Sequence, residues 1–301
     1  RTVGPRVPSH TLQHPPSPNR ACRTHFFKIP SMNYAILGGG RMGSALVRGM
    51  IASGITTGDR VTISSRTVES AQKSAVALGA NAATSNADAL RLAEVVFLCV
   101  KPAQSLEVVS SLARELSGKL LISIVAGIRS ADLLTAADGG IRVIRSMPNT
   151  AVRLRKGVTA IAPDSSSTAE DLEIARQIFS SVGTTFEVSE GELDIVTAVS
   201  GSGPAFALLM LEALAQGGID GGLDAAIAKS FAAGALSAAA ALVQETGETP
   251  LALRAEITSP GGTTQAGLGV LEESNFTGIV RGAVRAARDR SIELSSKSPK
   301  A

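Results

Sequence analysis

Tyr34-Ala35-Ile36-Leu37-Gly38-Gly39-Gly40-Arg41-Met42-Gly43 decides the reading of this chain. Four apolar residues run straight into a G-x-G-x-x-G turn. From Ser44 to Ile51, apolar residues at Ala45, Leu46, Met50 and Ile51 recur at helical spacing. The glycines therefore lie between a predicted strand and a predicted helix, the context in which this pattern has a physical meaning. Gly38 makes the tight turn, Gly40 lets a pyrophosphate reach the helix N-terminus, and Gly43 lets helix and strand pack closely. Arg41 and Met42 lie inside the same turn and are counted with it as dinucleotide-binding residues.

Working outward, the next strand, Arg60 to Ile63, ends in Ser64-Ser65-Arg66. A site for NAD would place an acid there to hold the ribose hydroxyls. A carboxylate would repel a 2′-phosphate, whereas two hydroxyls and a guanidinium bind it. NADPH is therefore the expected cofactor, with NADH the alternative. Alternation then continues, with a helix over 68–78, a weaker one after Asn86 and an all-apolar strand from Val95 to Val100. A helix from Ala103 to Leu116 and strands at Leu120–Val125 and Arg142–Ile144 follow. Strand 157–162, helix 168–181 and strand 184–188 complete an α/β Rossmann domain, a doubly wound and mostly parallel sheet. Ligands in such sheets lie beyond the carboxyl ends of strands. Val100, Lys101 and Pro102, then Ala126 and Gly127, then Met147, Pro148 and Asn149 are thus candidate walls around a nicotinamide.

From about Glu190 the pattern is helical only. Ser200-Gly201-Ser202-Gly203-Pro204 is expected to interrupt two helical stretches, the second running from Ala205 to about Gln216. Gly217-Gly218 and Gly221-Gly222 are expected to mark the next turn. Helices at 224–245 and 250–257 follow, and a last one spans about 275–295. Ser230 to Val243 is nearly all small and apolar, but at about 14 residues it falls short of the roughly 20 that cross a membrane. No membrane span is expected, and helices this poor in polar faces predict a subunit interface. Between two of these helices stands Thr258-Ser259-Pro260-Gly261-Gly262-Thr263-Thr264. Its glycines can turn backbone amides toward a ligand, and its threonines stand at the mouth of a helix where the dipole favours an anion. It reads as a nest for a carboxylate or phosphate, or more simply as a Pro-Gly turn with a Thr cap.

Composition narrows the chemistry. The 301 residues divide into an opening 1–31, a nucleotide domain 32–190 and an all-α domain 191–301. A net charge of +3 is too small to point to nucleic acid. The opening is basic, free of acids and rich in Pro and Ser, so it is expected to be disordered. It reads as a segment upstream of a start at Met32 in preference to an organellar targeting leader. His10, His14 and His25 all lie in it, which leaves the body without a histidine base or a His-ligated metal. Tyr34 is the only tyrosine and lies within the first strand. Cys22 and Cys99 suit a reducing, cytoplasmic setting without disulfides. A bound cofactor must supply the chemistry.

Taken together the motifs resemble the pyrroline-5-carboxylate reductase family, over about Asn33 to Ser295. Its most specific parts are Ala198-Val199-Ser200-Gly201-Ser202-Gly203-Pro204-Ala205 and Ile257-Thr258-Ser259-Pro260-Gly261-Gly262-Thr263-Thr264. They follow Val100-Lys101-Pro102, Val125-Ala126-Gly127 and Met147-Pro148-Asn149-Thr150 in the order the family keeps. The resemblance implies reduction of the cyclic imine 1-pyrroline-5-carboxylate to L-proline by hydride from NAD(P)H. It implies a helical C-terminal dimerisation domain, with a homodimer or a larger ring of dimers. It further implies that Ser259 and the amides of Gly261, Gly262 and Thr263 hold the substrate carboxylate, with Thr264 as the catalytic hydroxyl at the imine nitrogen. Ser65, Arg66 and Asn86 match positions near the adenosine half of the cofactor. The chain departs from the family at Ala151, where proline is usual, and at Gln216, where an acid is common. Three alternatives stay open: a 3-hydroxyacid dehydrogenase using Lys229, a reductase of another cyclic imine, and a non-catalytic NADP-binding sensor.

Overall fold

The computed structural model describes residues 32–296, so the expectations attached to the opening segment lie outside the described residues. Eight strands form one sheet: β1 (Tyr34–Leu37), β2 (Val61–Ser64), β3 (Asn81–Ala82), β4 (Val95–Leu98), β5 (Leu120–Ser123), β6 (Arg142–Pro148), β7 (Gly157–Pro163) and β8 (Gly183–Glu187). Their order is β3-β2-β1-β4-β5-β6-β7-β8. Every neighbouring pair is parallel except β6 with β7. Strands β1, β4 and β5 are buried along their whole length, because helices cover both faces of the sheet. The chain order reverses between β1 and β4, so a crevice opens there beyond the strand ends, and the glycine turn stands in it.

The covering helices are α1 (Arg41–Ser53), α2 (Val68–Leu78), α3 (Asn86–Leu90), α4 (Pro102–Ser110), α5 (Ala113–Leu116), α6 (Ser130–Ala136) and α7 (Ala169–Ser181). Their ends follow from side chains. Thr67 caps α2 by accepting the Ser70 amide, and Gly79 closes it at φ 65°. Thr168 and Asp171 form a reciprocal capping box on α7. One apolar cluster joins Leu37, Val96, Leu98, Leu121 and Val143 to α4 and α6. On the other side Phe97 stacks on Tyr34 at 6.5 Å and meets Phe179 edge-on at 6.3 Å.

The Tyr34 hydroxyl is buried in this packing without a hydrogen-bond partner. Burial, with the nearby Glu94 charge, pushes its pKa up to about 12 against the opposing pull of Arg60. It starts β1, at the end of the strand away from the glycine turn. Tyr34→Phe removes only an unpaired polar group, so urea unfolding should find the variant as stable as its parent or about 1 kcal/mol more stable. A clear loss of stability would contradict this account.

Several expectations are corrected. Strand β3 is two exposed residues and carries no hydrophobic signal, and α6 also escaped the periodicity. The helix expected over 103–116 is two helices. The break follows Ser110 and Ser111, whose hydroxyls donate to the carbonyls of Glu107 and Val108 and compete with the helix ladder. Strand β6 runs on to Pro148, because its antiparallel partner pairs Met147 with Ala160 and Pro148 with Thr159.

The helical half is also more continuous than its glycines suggest. A 3₁₀ turn at Glu190–Glu192 leads through α8 (Leu193–Val196) and a π turn at Thr197–Gly201 into α9 (Gly203–Asp220). Ser200 to Pro204 therefore widens the helix instead of breaking it. Gly217 and Gly218 lie inside α9. A Cβ on Gly218 would stand 3.3 Å from Ala228 Cβ, so this glycine serves the crossing with the next helix. The turn is Gly221-Gly222 alone. Helix α10 (Ala225–Thr246) is capped by Asp224, which accepts the amides of Ala226 and Ile227. Then come α11 (Pro250–Glu256), α12 (Thr263–Glu273) and α13 (Phe276–Ser296).

Helix α10 has 22 residues. The helix that carries the 14-residue apolar stretch is therefore long and apolar enough to cross a membrane, as is the run from Glu190 to Asp220. The length argument against a span fails. Helix α9 buries no residue and α10 buries only Ala228 and Ala232. Leu208, Leu209, Phe231 and Leu242 are exposed on this hairpin.

Candidate active site

The glycine turn is built by close approach of backbone. Gly38 has φ +111°, and a Cβ there would lie 2.8 Å from the Cys99 carbonyl group at the end of β4. A Cβ on Gly43 would collide with the Gly38 carbonyl oxygen and press on Ile36. These two glycines are required by the protein itself. Gly40 differs, since a Cβ there would meet nothing within 4 Å. Its missing side chain leaves open space beside α1, whose first internal bond is Ser44 N–H to Gly40 O at 2.9 Å. The amides of Arg41, Met42 and Gly43 thus have no partner among the described residues. Open space, three free N–H groups and a helix dipole fit a pyrophosphate. Gly39 is locked from both sides. Its N–H donates to Ser64 O at 3.0 Å and to Ser65 Oγ at 3.2 Å, and its carbonyl accepts Ser44 Oγ and Ser74 Oγ.

At the end of β2, Ser64 is turned away from the crevice. It is buried, its Oγ donates to Ile36 O at 3.4 Å, and its carbonyl accepts the Gly38 and Gly39 amides. It holds the turn, and its hydroxyl is bonded within the sheet. Arg66 is exposed beyond Ser65 and makes no hydrogen bond or ion pair among the described residues. Asn86 opens α3 and is half-buried.

The walls divide in the same way. Lys101 caps α4, Pro102 fills its first turn, and both are exposed at the end of β4, next to half-buried Val100. Ala126 packs with Met147, Leu193 and Val196. Gly127 has φ +77°, and a Cβ on it would press at 3.2 Å on Leu294 and the Ser295 amide of α13. The Asn149 side chain is spent on structure. Its Oδ1 accepts the amides of Ala151 at 3.2 Å and Val158 at 3.3 Å, while Nδ2 donates to Ser200 Oγ at 3.4 Å. Gly127 is thus packed against α13, and the Asn149 side chain is bonded to its own loop and to Ser200. Sequence reasoning missed Ser44, Ser74 and Ser200, whose partners lie five to 51 residues away with no local pattern.

The second Gly-rich loop sits on the helical half. Gly261 has φ +70°, and its N–H donates to Gln265 Oε1 at 2.6 Å. Gly262 N–H donates to Ser259 O at 3.0 Å, and a side chain on Gly262 would collide with Ser259 Oγ. Two of the three amides expected to hold a carboxylate are thus engaged within the loop. Helix α12 starts at Thr263 without a side-chain cap, and its first bond is Ala266 N–H to Gly262 O. Among the described residues, the amides of Thr263, Thr264 and Gln265 have no partner, and neither do the hydroxyls of Ser259 and Thr264. Such a group accepts an anion on the dipole of α12. Among the described residues, no hydrogen bond or ion pair joins this nest to residues 32–189.

Comparison with known proteins supplies the rest. A sequence profile described as pyrroline-5-carboxylate reductase dimerisation matches residues 190–294. Another, described as NADP oxidoreductase coenzyme F420-dependent, matches residues 33–127. A pyrroline-5-carboxylate reductase of Corynebacterium melassecola is 39% identical, the match covering 86% of this chain and 97% of that protein. One of Methanosarcina acetivorans is 40% identical, covering 89% and 100%. The crystal structure of a Plasmodium falciparum pyrroline carboxylate reductase with NADP bound superposes with a TM-score of 0.81 at 28% identity, covering 88% and 98%.

Proposed function

Because this chain belongs to the pyrroline-5-carboxylate reductase family, we propose how its own residues carry out the reaction that the relatives' name describes. The chain reduces the C=N bond of 1-pyrroline-5-carboxylate by hydride transfer from a nicotinamide cofactor, giving L-proline. The observation that carries this reading is 39% identity to a reductase over 97% of that reductase's length. Nothing in the comparisons favours the dehydrogenase, and Lys229 is exposed on α10. Incubation with NADPH deuterated at its transferable position should yield proline that carries one deuterium in place of hydrogen. Unlabelled proline, or none, would defeat the reading.

The bound cofactor supplies the hydride, and the chain orients the partners. The amides of Arg41, Met42 and Gly43 hold the pyrophosphate, with Gly40 leaving the room. Ser65 and Arg66 take the 2′-phosphate, while Lys101, Pro102 and Val100 border the nicotinamide. At the nest, Ser259 Oγ and the amides of Thr263, Thr264 and Gln265 hold the substrate carboxylate. The Thr264 hydroxyl orients the imine nitrogen. A protonated imine is already electrophilic and carries the proton the amine needs, so the chain has to orient it and needs no strong general acid.

Preference for NADPH over NADH is part of the proposal and rests on the unpaired, exposed guanidinium of Arg66. Arg66→Ala should raise the KM for NADPH about tenfold or more, through the loss of a charge-assisted bond, and leave that for NADH unchanged. Equal effects on both cofactors would remove Arg66 from this role.

The chain oligomerises, and we infer a homodimer in the cytoplasm, with rings of dimers as the larger assembly. The uncovered α9–α10 face and the dimerisation profile support a second copy as its cover, in preference to lipid. The nest lacks any bonded link to the cofactor half of its own chain, which supports its serving the cofactor of the partner. Mixed dimers test this. Thr264→Ala chains paired with Gly40→Ala chains should regain activity if nest and cofactor come from different copies. Hybrids as inactive as either parent would mean that each chain completes its own site.

A further inference from the structure

Strand β6 places an arginine among the buried residues of the sheet. Arg145 lies in register with Ser123 on β5 and Ala162 on β7, and its side chain is 7% exposed. Its Nη1 donates to Glu190 Oε1 at 3.1 Å. The same oxygen accepts the amide of Ser130, the first residue of α6, at 2.7 Å. Glu190 in turn is the residue with which the helical half begins. Burial works against its charge, but the Ser130 amide and the Arg145 guanidinium outweigh it and hold the carboxyl below the usual carboxylate range.

The Arg145 guanidinium is buried, with its Nε unpartnered among the described residues, while Glu190 stays 34% exposed, so the pair is a poor source of stability. What the pair supplies is geometry. One carboxylate ties the middle of strand β6, the start of α6 and the start of the helical half to a single point. Further along, Leu193 and Val196 pack on Met147, Ala160 and Ala162, and Asn149 at the end of β6 donates to Ser200. The first turns of the helical half are thus laid along β6 and held at both ends.

We propose that Arg145 and Glu190 are positioning residues for the reaction. They fix the direction in which the helical half leaves the cofactor sheet, and with it the place where the nest meets the nicotinamide. The inference rests on the reading that nest and glycine turn serve one reaction.

The test uses the full-length dimer. Glu190→Gln keeps an acceptor for Ser130 and Arg145 but removes the charge, so it is the variant expected to fold. Its kcat should fall about ten- to hundredfold, as a displaced reaction partner requires, with the Kd for NADPH unchanged. Glu190→Asp keeps the charge on a shorter arm and should fall in between. A second readout is independent of turnover. The chain has no tryptophan, so Ala266→Trp gives a single donor beside the nest, whose emission bound NADPH quenches by energy transfer. Glu190→Gln should weaken that quenching. A folded Glu190→Gln dimer with parental kcat and parental quenching would overturn the proposal, as would a loss of NADPH affinity as large as the loss of kcat. So would an indole emission in the Ala266→Trp chain that bound NADPH leaves unchanged before Glu190 is altered. If the parent fails to reduce pyrroline-5-carboxylate, the proposed function falls, while the quenching still decides the role of Glu190.

Discussion

Gly40→Ala should fold and melt as the parent does, yet bind NADPH roughly ten- to hundredfold more weakly. The expectation rests on what surrounds the position. A Cβ on Gly40 meets no protein atom within 4 Å, and its backbone has an ordinary negative φ. The fold therefore places no demand on this glycine. The space belongs to a pyrophosphate approaching the free amides of α1, and a methyl group there lengthens two or three charge-assisted hydrogen bonds. Gly43→Ala is the contrast. Its Cβ collides with the backbone oxygen of Gly38, so helix α1 must shift from β1, and both stability and NADPH affinity should fall. Titrating the nicotinamide fluorescence and recording a melting curve for each variant separates the two cases. A Gly40→Ala chain that binds NADPH like its parent would mean that the cofactor does not pass there.

Thr264→Ala should lower kcat/KM for pyrroline-5-carboxylate by about a hundredfold or more, the range in which a lost proton-handling group falls. NADPH affinity should not change, since the nest has no bonded link to the glycine turn. Thr264 is half-buried in the first turn of α12, and its hydroxyl makes no hydrogen bond. No bond among the described residues accounts for it. Thr264→Ser keeps the oxygen and should recover most of the activity. The body has no histidine, and its one tyrosine is buried at the far end of β1. Neither residue type is at hand to take over the threonine's contact with the imine nitrogen. Equal turnover in Thr264→Ala and the parent would take Thr264 out of the reaction.

Much of the fold was legible because the cofactor half follows strong local rules. An apolar run, three spaced glycines and a helical period leave few other structures for residues 34–53. Strand β3 was hidden because two exposed residues, Asn81 and Ala82, carry no period. The run from Ser200 to Pro204 misled because glycine and proline usually end helices. Here Pro204 sits in the first turn of α9, where its missing N–H costs nothing, and the π turn absorbs the irregularity. Helix α10 was legible at nearly its observed bounds, 224–245 against Ala225–Thr246, but its 14-residue apolar stretch understated the length of helix that bears on a membrane span.

The site was less legible than the fold. Which residues gather at the strand ends follows from topology, but which of their polar groups remain free does not. Ser64 and Ser65 look alike in sequence, yet one hydroxyl faces β1 and the other the glycine turn. Asn149 and the Gly261 amide look available until Ala151, Val158 and Gln265 are seen bonded to them. The Arg145–Glu190 pair spans 45 residues and leaves no pattern in the sequence.

The most direct test of the account is the loss of reduced-nicotinamide absorbance when the purified chain meets pyrroline-5-carboxylate, with NADPH and NADH run in parallel. The account predicts turnover with both and a higher kcat/KM with NADPH, the rate falling away in Thr264→Ala. A folded chain that binds NADPH and leaves its absorbance unchanged on adding the imine would contradict it.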